Sequence, residues 1–225
     1  MISNKQIFML YNNKLYWINN VNGADYLMLG VAAMIRKKFK NNLVGVEMGT
    51  AYGGGPEAVG KLWHNIGEVH AFDTFEGHPV ELAKDPNSFE ARCMDRWYDN
   101  RFAGNERIPM LTQEMLTHEY QREQLDKQNL HNVILHKGLI NSESLNNIPY
   151  THYALLDMDL VKSMEIGYEI VKDKIVKGGY LCLHDVIPNG HIEGLYDYYT
   201  NILATKNWKI IMDCPASYLV VLEKV

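Results

Sequence analysis

The sequence predicts an α/β protein built on a doubly wound, Rossmann-like sheet, mostly parallel, with an antiparallel C-terminal hairpin. Three observations predict it. An apolar run through Leu43, Val44 and Val46 ends in Glu47-Met48-Gly49-Thr50-Ala51-Tyr52-Gly53-Gly54-Gly55, helical spacing follows from Glu57 to Asn65, and a second run, Val69 to Phe72, ends in Asp73. Strand, glycine loop, helix, strand and acid is the order of a nucleoside-binding unit. Later, Tyr153 to Leu156 reads as a buried strand ending at Asp157, Leu160 to Val176 as a helix closed by Gly178-Gly179, and Tyr180 to Leu183 as a strand ending at His184-Asp185. Finally, Trp208 to Met212 and Tyr218 to Leu222 flank a short turn at Cys214-Pro215, which implies an antiparallel pair.

The remaining elements follow in order. Ile7 to Leu10 and Leu15 to Ile18 flank Asn12-Asn13 and predict a β-hairpin, either a lid or the contact of a homodimer. From Ala24 to Phe39, Leu27, Leu29, Val31, Ala32 and Ile35 suit a helix whose basic last turn, Arg36-Lys37-Lys38, complements its dipole. Between His78 and His131 the alternation lapses into a polar stretch with Arg92, Arg96, Trp97, Tyr98, Arg101 and Arg107; its end, Thr112 to Leu130, reads as helical. Such a segment is a lid over a site or a solvated helical excursion. Val133 to Leu135 reads as a strand stopping at Lys137-Gly138, and Asn141 to Leu145 as a short helix. The expected organisation is one domain, 1–225, with an N-terminal hairpin and helix over 1–42 and a lid or cap insert over 79–131.

At 225 residues and 47% hydrophobic content the chain suits a single domain with a three-layer core. A net charge of −5 and a pI near 6.0 provide no basic stripe for nucleic acid and fit a small neutral or cationic substrate better. Cys93, Cys182 and Cys214 are odd in number and widely spaced, which argues against disulfides or a zinc cluster and for a reducing cytoplasm. The N-terminus lacks the continuous apolar core of a signal peptide, and no run approaches the roughly 18 apolar residues of a membrane span.

Chemistry concentrates at strand ends. The loop spacing is E-x-G-x-x-x-G-G rather than G-x-G-x-x-G, and a carboxylate at Glu47 would repel a pyrophosphate while welcoming a cationic, phosphate-free ligand such as S-adenosylmethionine. Asp73 is placed to hold ribose hydroxyls. Asp157, Asp159, His184 and Asp185 have two competing uses. They could collect a divalent cation that binds a substrate hydroxyl and lowers its pKa, or His184 could act alone as general base. A purely structural alternative makes Asp157 a helix N-cap, Asp159 a first-turn acid and His184 a hydrogen-bonded strand terminus. His64, His118, His131 and His136 are expected at the surface or an edge without convergent partners, and structural roles are favoured for His78 and His152. Tyr196, Tyr198 and Tyr199 read as helix-packing residues, and the insert's arginines as a solvated face.

With those residues in place, the chain resembles the macrocin-type sugar O-methyltransferases, a metal-dependent class I family that methylates deoxysugar hydroxyls. Three blocks carry the likeness: the Glu47 to Gly54 loop; Phe72-Asp73-Thr74-Phe75-Glu76-Gly77-His78-Pro79, similar to F-D-T-F-E-G-x-P; and Leu156-Asp157-Met158-Asp159-Leu160 with Gly178-Gly179-Tyr180 and Asp185. The resemblance implies the methyltransferase variant of the doubly wound sheet, S-adenosylmethionine as cofactor, and methyl transfer to a hydroxyl of a sugar or other small molecule. It implies that Glu47, Gly49, Gly53 and Asp73 contact the cofactor's amino acid and ribose parts, with Ala51, Gly54 and Thr74 in the same set, and Gly138-Leu139 its adenine. Asp157 and Asp185 would be metal ligands, joined by His184, for Mg2+ or Mn2+. The family commonly has an acidic pair where this chain has His184-Asp185, and an aromatic-acidic pair at Val161-Lys162. Histidine is a poorer magnesium ligand than carboxylate, which leaves a softer metal or none. Two further readings stay open: a non-catalytic S-adenosylmethionine sensor or partner subunit, and a nicotinamide-dependent oxidoreductase, against which Glu47 counts.

Overall fold

The computed structural model describes residues 7–11, 14–18, 23–77, 113–186, 188, 192, 194–215 and 218–225. Strands β1 (Ile7–Tyr11) and β2 (Lys14–Ile18) pair antiparallel as a separate two-stranded sheet, followed by α1 (Gly23–Phe39). The main domain comprises β3 (Leu43–Met48), α2 (Gly54–Leu62), β4 (Gly67–Asp73), a 3-10 turn (Gln113–Leu116), α3 (His118–Lys127), β5 (Val133–Lys137), β6 (Thr151–Leu156), α4 (Val161–Val171), β7 (Ile175–His184), α5 (Leu195–Ala204), β8 (Trp208–Cys214) and β9 (Leu219–Lys224).

The seven strands lie in the order β5-β4-β3-β6-β7-β9-β8. The first five are mutually parallel, and β9 runs antiparallel to both β7 and β8. The expected doubly wound sheet with its C-terminal hairpin is therefore present, with β9 inserted between β7 and the edge strand β8. The strand sequence moves one way from β3 and the other way from β6, so the switch point falls between them, where open α/β sheets bind ligands.

Burial explains the layering. Every residue of β3 and β6 is buried, as the centre of a sheet covered on both faces requires. Alternation then sorts their side chains. Tyr153 and Leu155 join Met28, Leu29, Ile35, Leu62 and Trp63 on the α1/α2 side. Val44, Val46, Met48, Ala154 and Leu156 face Met164, Tyr168, Val171, Tyr199 and Ile202 of α4 and α5. The crossover helix α3 contributes Leu125, which packs with Leu130 and Val133. No helix among the described residues is long and apolar enough to cross a membrane.

Some elements differ from the expectation. The helix expected over Leu160 to Val176 ends at Val171, and Gly178-Gly179 lie inside β7 rather than at a helix stop. Ile175 belongs to the core as a strand residue, and the glycines sit where the register jumps from Thr151 opposite Ile175 to Tyr153 opposite Tyr180. Asn141 to Leu145 is a chain of tight turns, closed by bonds such as Ser144 N–H to Asn141 O and Asn146 N–H to Glu143 O, rather than a helix. The Thr112 to Leu130 helix is split at Thr117, whose hydroxyl accepts from Tyr120 N–H and caps α3. His78, Cys93 and the arginines from Arg92 to Arg107 lie outside the described residues.

Candidate active site

The glycine loop is held by its neighbours' backbones. Gly49 N–H donates to Phe72 O and Asp157 N–H donates to Met48 O, both at 2.9 Å, so the ends of β3, β4 and β6 are tied together. Gly49 has φ +85°, and a Cβ there would overlap the Asp157 carbonyl oxygen. Gly53, at φ +74°, precedes the first turn of α2 and donates to Thr50 O at 2.8 Å. Gly54 opens that helix.

Asp73 acts on this loop directly. Its Oδ2 accepts from Thr50 N–H at 2.8 Å and Ala51 N–H at 3.1 Å, while Oδ1 accepts from Phe75 N–H at 2.8 Å. The acid expected to meet a ribose shapes the loop in this structure, through charge-assisted bonds from backbone amides. The Thr74 hydroxyl donates to Gly77 O and accepts from Glu76 N–H, closing the turn after β4. Gly138 N–H donates to Asp73 O at 2.9 Å, which brings Gly138 and the exposed Leu139 beside Asp73. Glu47 is buried behind the loop: a Cβ on Gly55 would fall 2.7 Å from its Oε2, placing the carboxylate against the positive end of α2. Burial pushes the Tyr153 phenol and the Cys182 thiol up, and the Glu47 charge pushes both further.

On the other side of the switch point, Asp157, His184 and Asp185 converge, each offering a ligand atom within 4.8 Å of the others. His184 Nδ1 lies 2.9 Å from Asp157 Oδ1 and 3.2 Å from Asp185 Oδ2. Asp185 N–H donates to Tyr218 O at 2.8 Å, so the β7–β9 pairing fixes that corner. Burial favours a neutral His184 ring, but the Asp157 and Asp185 carboxylates override it and raise its pKa to about 11. Asp159 is held well above the usual carboxylate range, first by desolvation, then by repulsion from Asp157 and Asp185 and a hydrogen bond to Asp185. Helix α4 has Leu160 at its N-cap with no side-chain cap and no acid in its first turn, so the N-cap role for Asp157 and the first-turn role for Asp159 are not realised. Held between the two carboxylates, the His184 ring keeps its proton at neutral pH, which does not fit the role of a lone general base. A divalent cation such as Mn2+ or Mg2+ would have to displace that proton for Nδ1 to join Asp157 and Asp185 as a ligand.

Other predicted residues separate from the site. His64 and His131 are exposed, and His118 packs edge-on against Phe75. His152 Nδ1 accepts from Val44 N–H at 3.1 Å, a structural role as expected. His136 was expected to lack partners and does not: it stacks on Phe72 with ring centroids 4.2 Å apart, and its Nε2 lies 2.9 Å from His70 Nδ1. Parallel pairing of β4 with β5 brings the two rings together, a register that spacing alone does not disclose. Sequence reasoning also passed over Gln121 on α3, whose Nε2 donates to Ala51 O at 2.6 Å.

No protein-family model and no curated protein matches the chain. Among solved structures, it is similar to the O-methyltransferase NovP, with a TM-score of 0.66 and 15% identity over 90% of this chain and 79% of that one. It is also similar to the calicheamicin methyltransferase CalS11, with a TM-score of 0.61 and 16% identity over 88% of this chain and 78% of that one. A putative caffeoyl-CoA O-methyltransferase from Staphylococcus aureus superposes with a TM-score of 0.57 and 12% identity, over 92% and 86% of the two chains. The chain therefore has the doubly wound fold of these methyltransferases.

Proposed function

We propose that the protein is a class I methyltransferase that takes S-adenosylmethionine as donor and a hydroxyl of a sugar or other small molecule as acceptor, with a divalent cation at Asp157, His184 and Asp185. The observation that carries this reading is the convergence of those three side chains beside the glycine loop, with Asp157 bonded through its amide to the strand that ends in it. The fold it shares with NovP and CalS11 supports it, and CalS11 is described as a TDP-rhamnose 3'-O-methyltransferase. Of the three sequence blocks that resemble the sugar O-methyltransferases, the Glu47 to Gly54 loop, Asp73 and the Asp157 and Asp185 pair stand at the carboxyl ends of β3, β4, β6 and β7, whereas Gly178-Gly179 lie near the start of β7.

In this reading the loop from Gly49 to Gly54 receives the methionine part of the cofactor and Asp73 faces its ribose, with Gly138-Leu139 along the adenine. A bound Mg2+ or Mn2+ would polarise the acceptor hydroxyl and lower its pKa. The chain's own residues do the orienting. Asp157 and Asp185 come from adjacent strand ends held by backbone bonds, so the acceptor's seat is fixed relative to the loop. Such fixing is worth about 7–11 kcal/mol of barrier in well-oriented systems. The acidic net charge of −5 favours a small-molecule acceptor over nucleic acid.

Calorimetric titration with S-adenosylhomocysteine, run with Mg2+, with Mn2+ and with chelator, tests the reading. Micromolar binding is expected, and methyl transfer to nucleotide-linked deoxysugars would follow in a radiolabel assay. Absence of binding in every condition overturns the methyltransferase reading. Binding of NADH in its place would point to an oxidoreductase, and cofactor binding without transfer to any acceptor to a sensor or partner subunit.

A further inference from the structure

We propose that Gln121 is a positioning residue for the glycine loop, holding it in the shape that receives S-adenosylmethionine; the assignment rests on the function proposed above. Gln121 stands on the first turns of α3 and reaches across 70 positions of sequence to donate from Nε2 to Ala51 O at 2.6 Å. The same nitrogen lies 3.4 Å from Met115 O and from Leu116 O, which orients the amide. Ala51 is the strained residue of the loop, a non-glycine at φ +45°. Both polar atoms of its backbone are held from outside the loop: its N–H by Asp73 and its carbonyl by Gln121.

Packing does not replace that bond. Behind the loop lies a cavity of about 200 Å³ lined by Tyr52, Gly53, Glu57, Gln121, Gln124 and Leu135, so the loop is not backed by a filled core there. Gln121 is 4% exposed, and its Oε1 has no hydrogen-bond partner among the described residues. A buried amide oxygen without a partner is costly, and a methionine would fill the same space without that cost. The amide's return for it is the bond to Ala51. The fit against the loop is close, since a Cβ on Gly53 would fall 2.6 Å from Oε1.

The test compares wild type with Q121M and Q121E, by calorimetry with S-adenosylhomocysteine and by amide hydrogen exchange of the ligand-free proteins. Loss of one such bond should raise Kd in Q121M about tenfold and speed exchange across Ala51 to Gly53 by a similar factor. Q121E should bind as weakly at about pH 8 and recover toward wild type at about pH 5, where the introduced carboxyl regains a proton to donate to Ala51 O. Wild type and Q121M supply the background from Tyr52, Glu57 and Tyr120, the ionisable groups lining the same cavity. Wild-type binding with Q121M within about twofold of it, or no recovery of Q121E at low pH, overturns the assignment. Failure of wild type to bind overturns the proposed function instead, and loop exchange in Q121M then decides alone whether Gln121 holds the loop. If Q121M does not fold, the pH recovery of Q121E decides.

Discussion

Gly49 lies against the backbone carbonyl of Asp157 so closely that a Cβ would overlap that oxygen. The contact joins the two halves of the site. On one side of it the loop turns toward Asp73; on the other Asp157 leads to His184 and Asp185. Because the neighbour is backbone rather than a flexible side chain, neither half can shift without moving the other.

Substituting Gly49→Ala should therefore be among the costliest single changes in the chain. It forces an L side chain into φ +85° and drives β3 away from β6. A loss of about 3 kcal/mol or more is expected in urea unfolding, with S-adenosylhomocysteine binding abolished in whatever protein remains folded. Stability within about 1 kcal/mol of wild type would mean that the strand ends are not rigidly joined.

The cluster of Asp157, His184 and Asp185 should be separable from the glycine loop. Asp157→Asn and Asp185→Asn each remove a carboxylate from the proposed cation site, and Mn2+ affinity followed by calorimetry should fall by at least the roughly 10–100-fold known for loss of outer-shell partners. S-adenosylhomocysteine affinity in the absence of metal should stay within about twofold of wild type. Equal loss of both affinities would show that the carboxylates support the loop rather than a cation.

Asp73 makes a different prediction. Asp73→Ala leaves the Thr50, Ala51 and Phe75 amides without their acceptor. Bonds to a charged group contribute about 1.5–3 kcal/mol each and do not add fully, so a loss of about 3 kcal/mol is expected together with weakened cofactor binding. Unchanged stability with weakened binding would assign Asp73 to the ribose alone.

The parts of this site that sequence disclosed are those with local signals. Glu47 to Gly55 followed by Val69 to Asp73 can be read because the glycines and the terminal acid sit at fixed offsets from apolar runs, and β6 and β7 end at polar residues that stop their runs abruptly. What stayed hidden depends on pairing between distant segments. Gln121 lies on a polar helix with no periodic cue, and its role exists only because the fold brings α3 within hydrogen-bond reach of Ala51. His70 and His136 look unrelated until β4 and β5 pair. The overlong helix to Val176 arose because Ile175 continues the apolar pattern of α4, yet serves as the first residue of β7, and Gly178-Gly179 imitates a helix stop inside an irregular strand.

Two histidines should set the acid limit of stability. Burial, with the neighbouring His70 charge, lowers the pKa of His136 below 6.5, and burial lowers that of His152, whose Nδ1 must stay unprotonated to accept from Val44 N–H. The unfolded chain then binds protons more readily than the native one over this range, so stability rises with pH. Their contribution is complete above about pH 6.5 and is lost as pH falls through the lowered native values. Urea midpoints taken from about pH 7.5 down to about pH 5 should fall in wild type and fall less in the double variant His136→Gln, His152→Gln. Glutamine can still accept from Val44 N–H through its side-chain oxygen but does not titrate, so a flattened acid limb assigns the slope to these two rings. An acid limb as steep in the double variant as in wild type would place the titrating groups elsewhere.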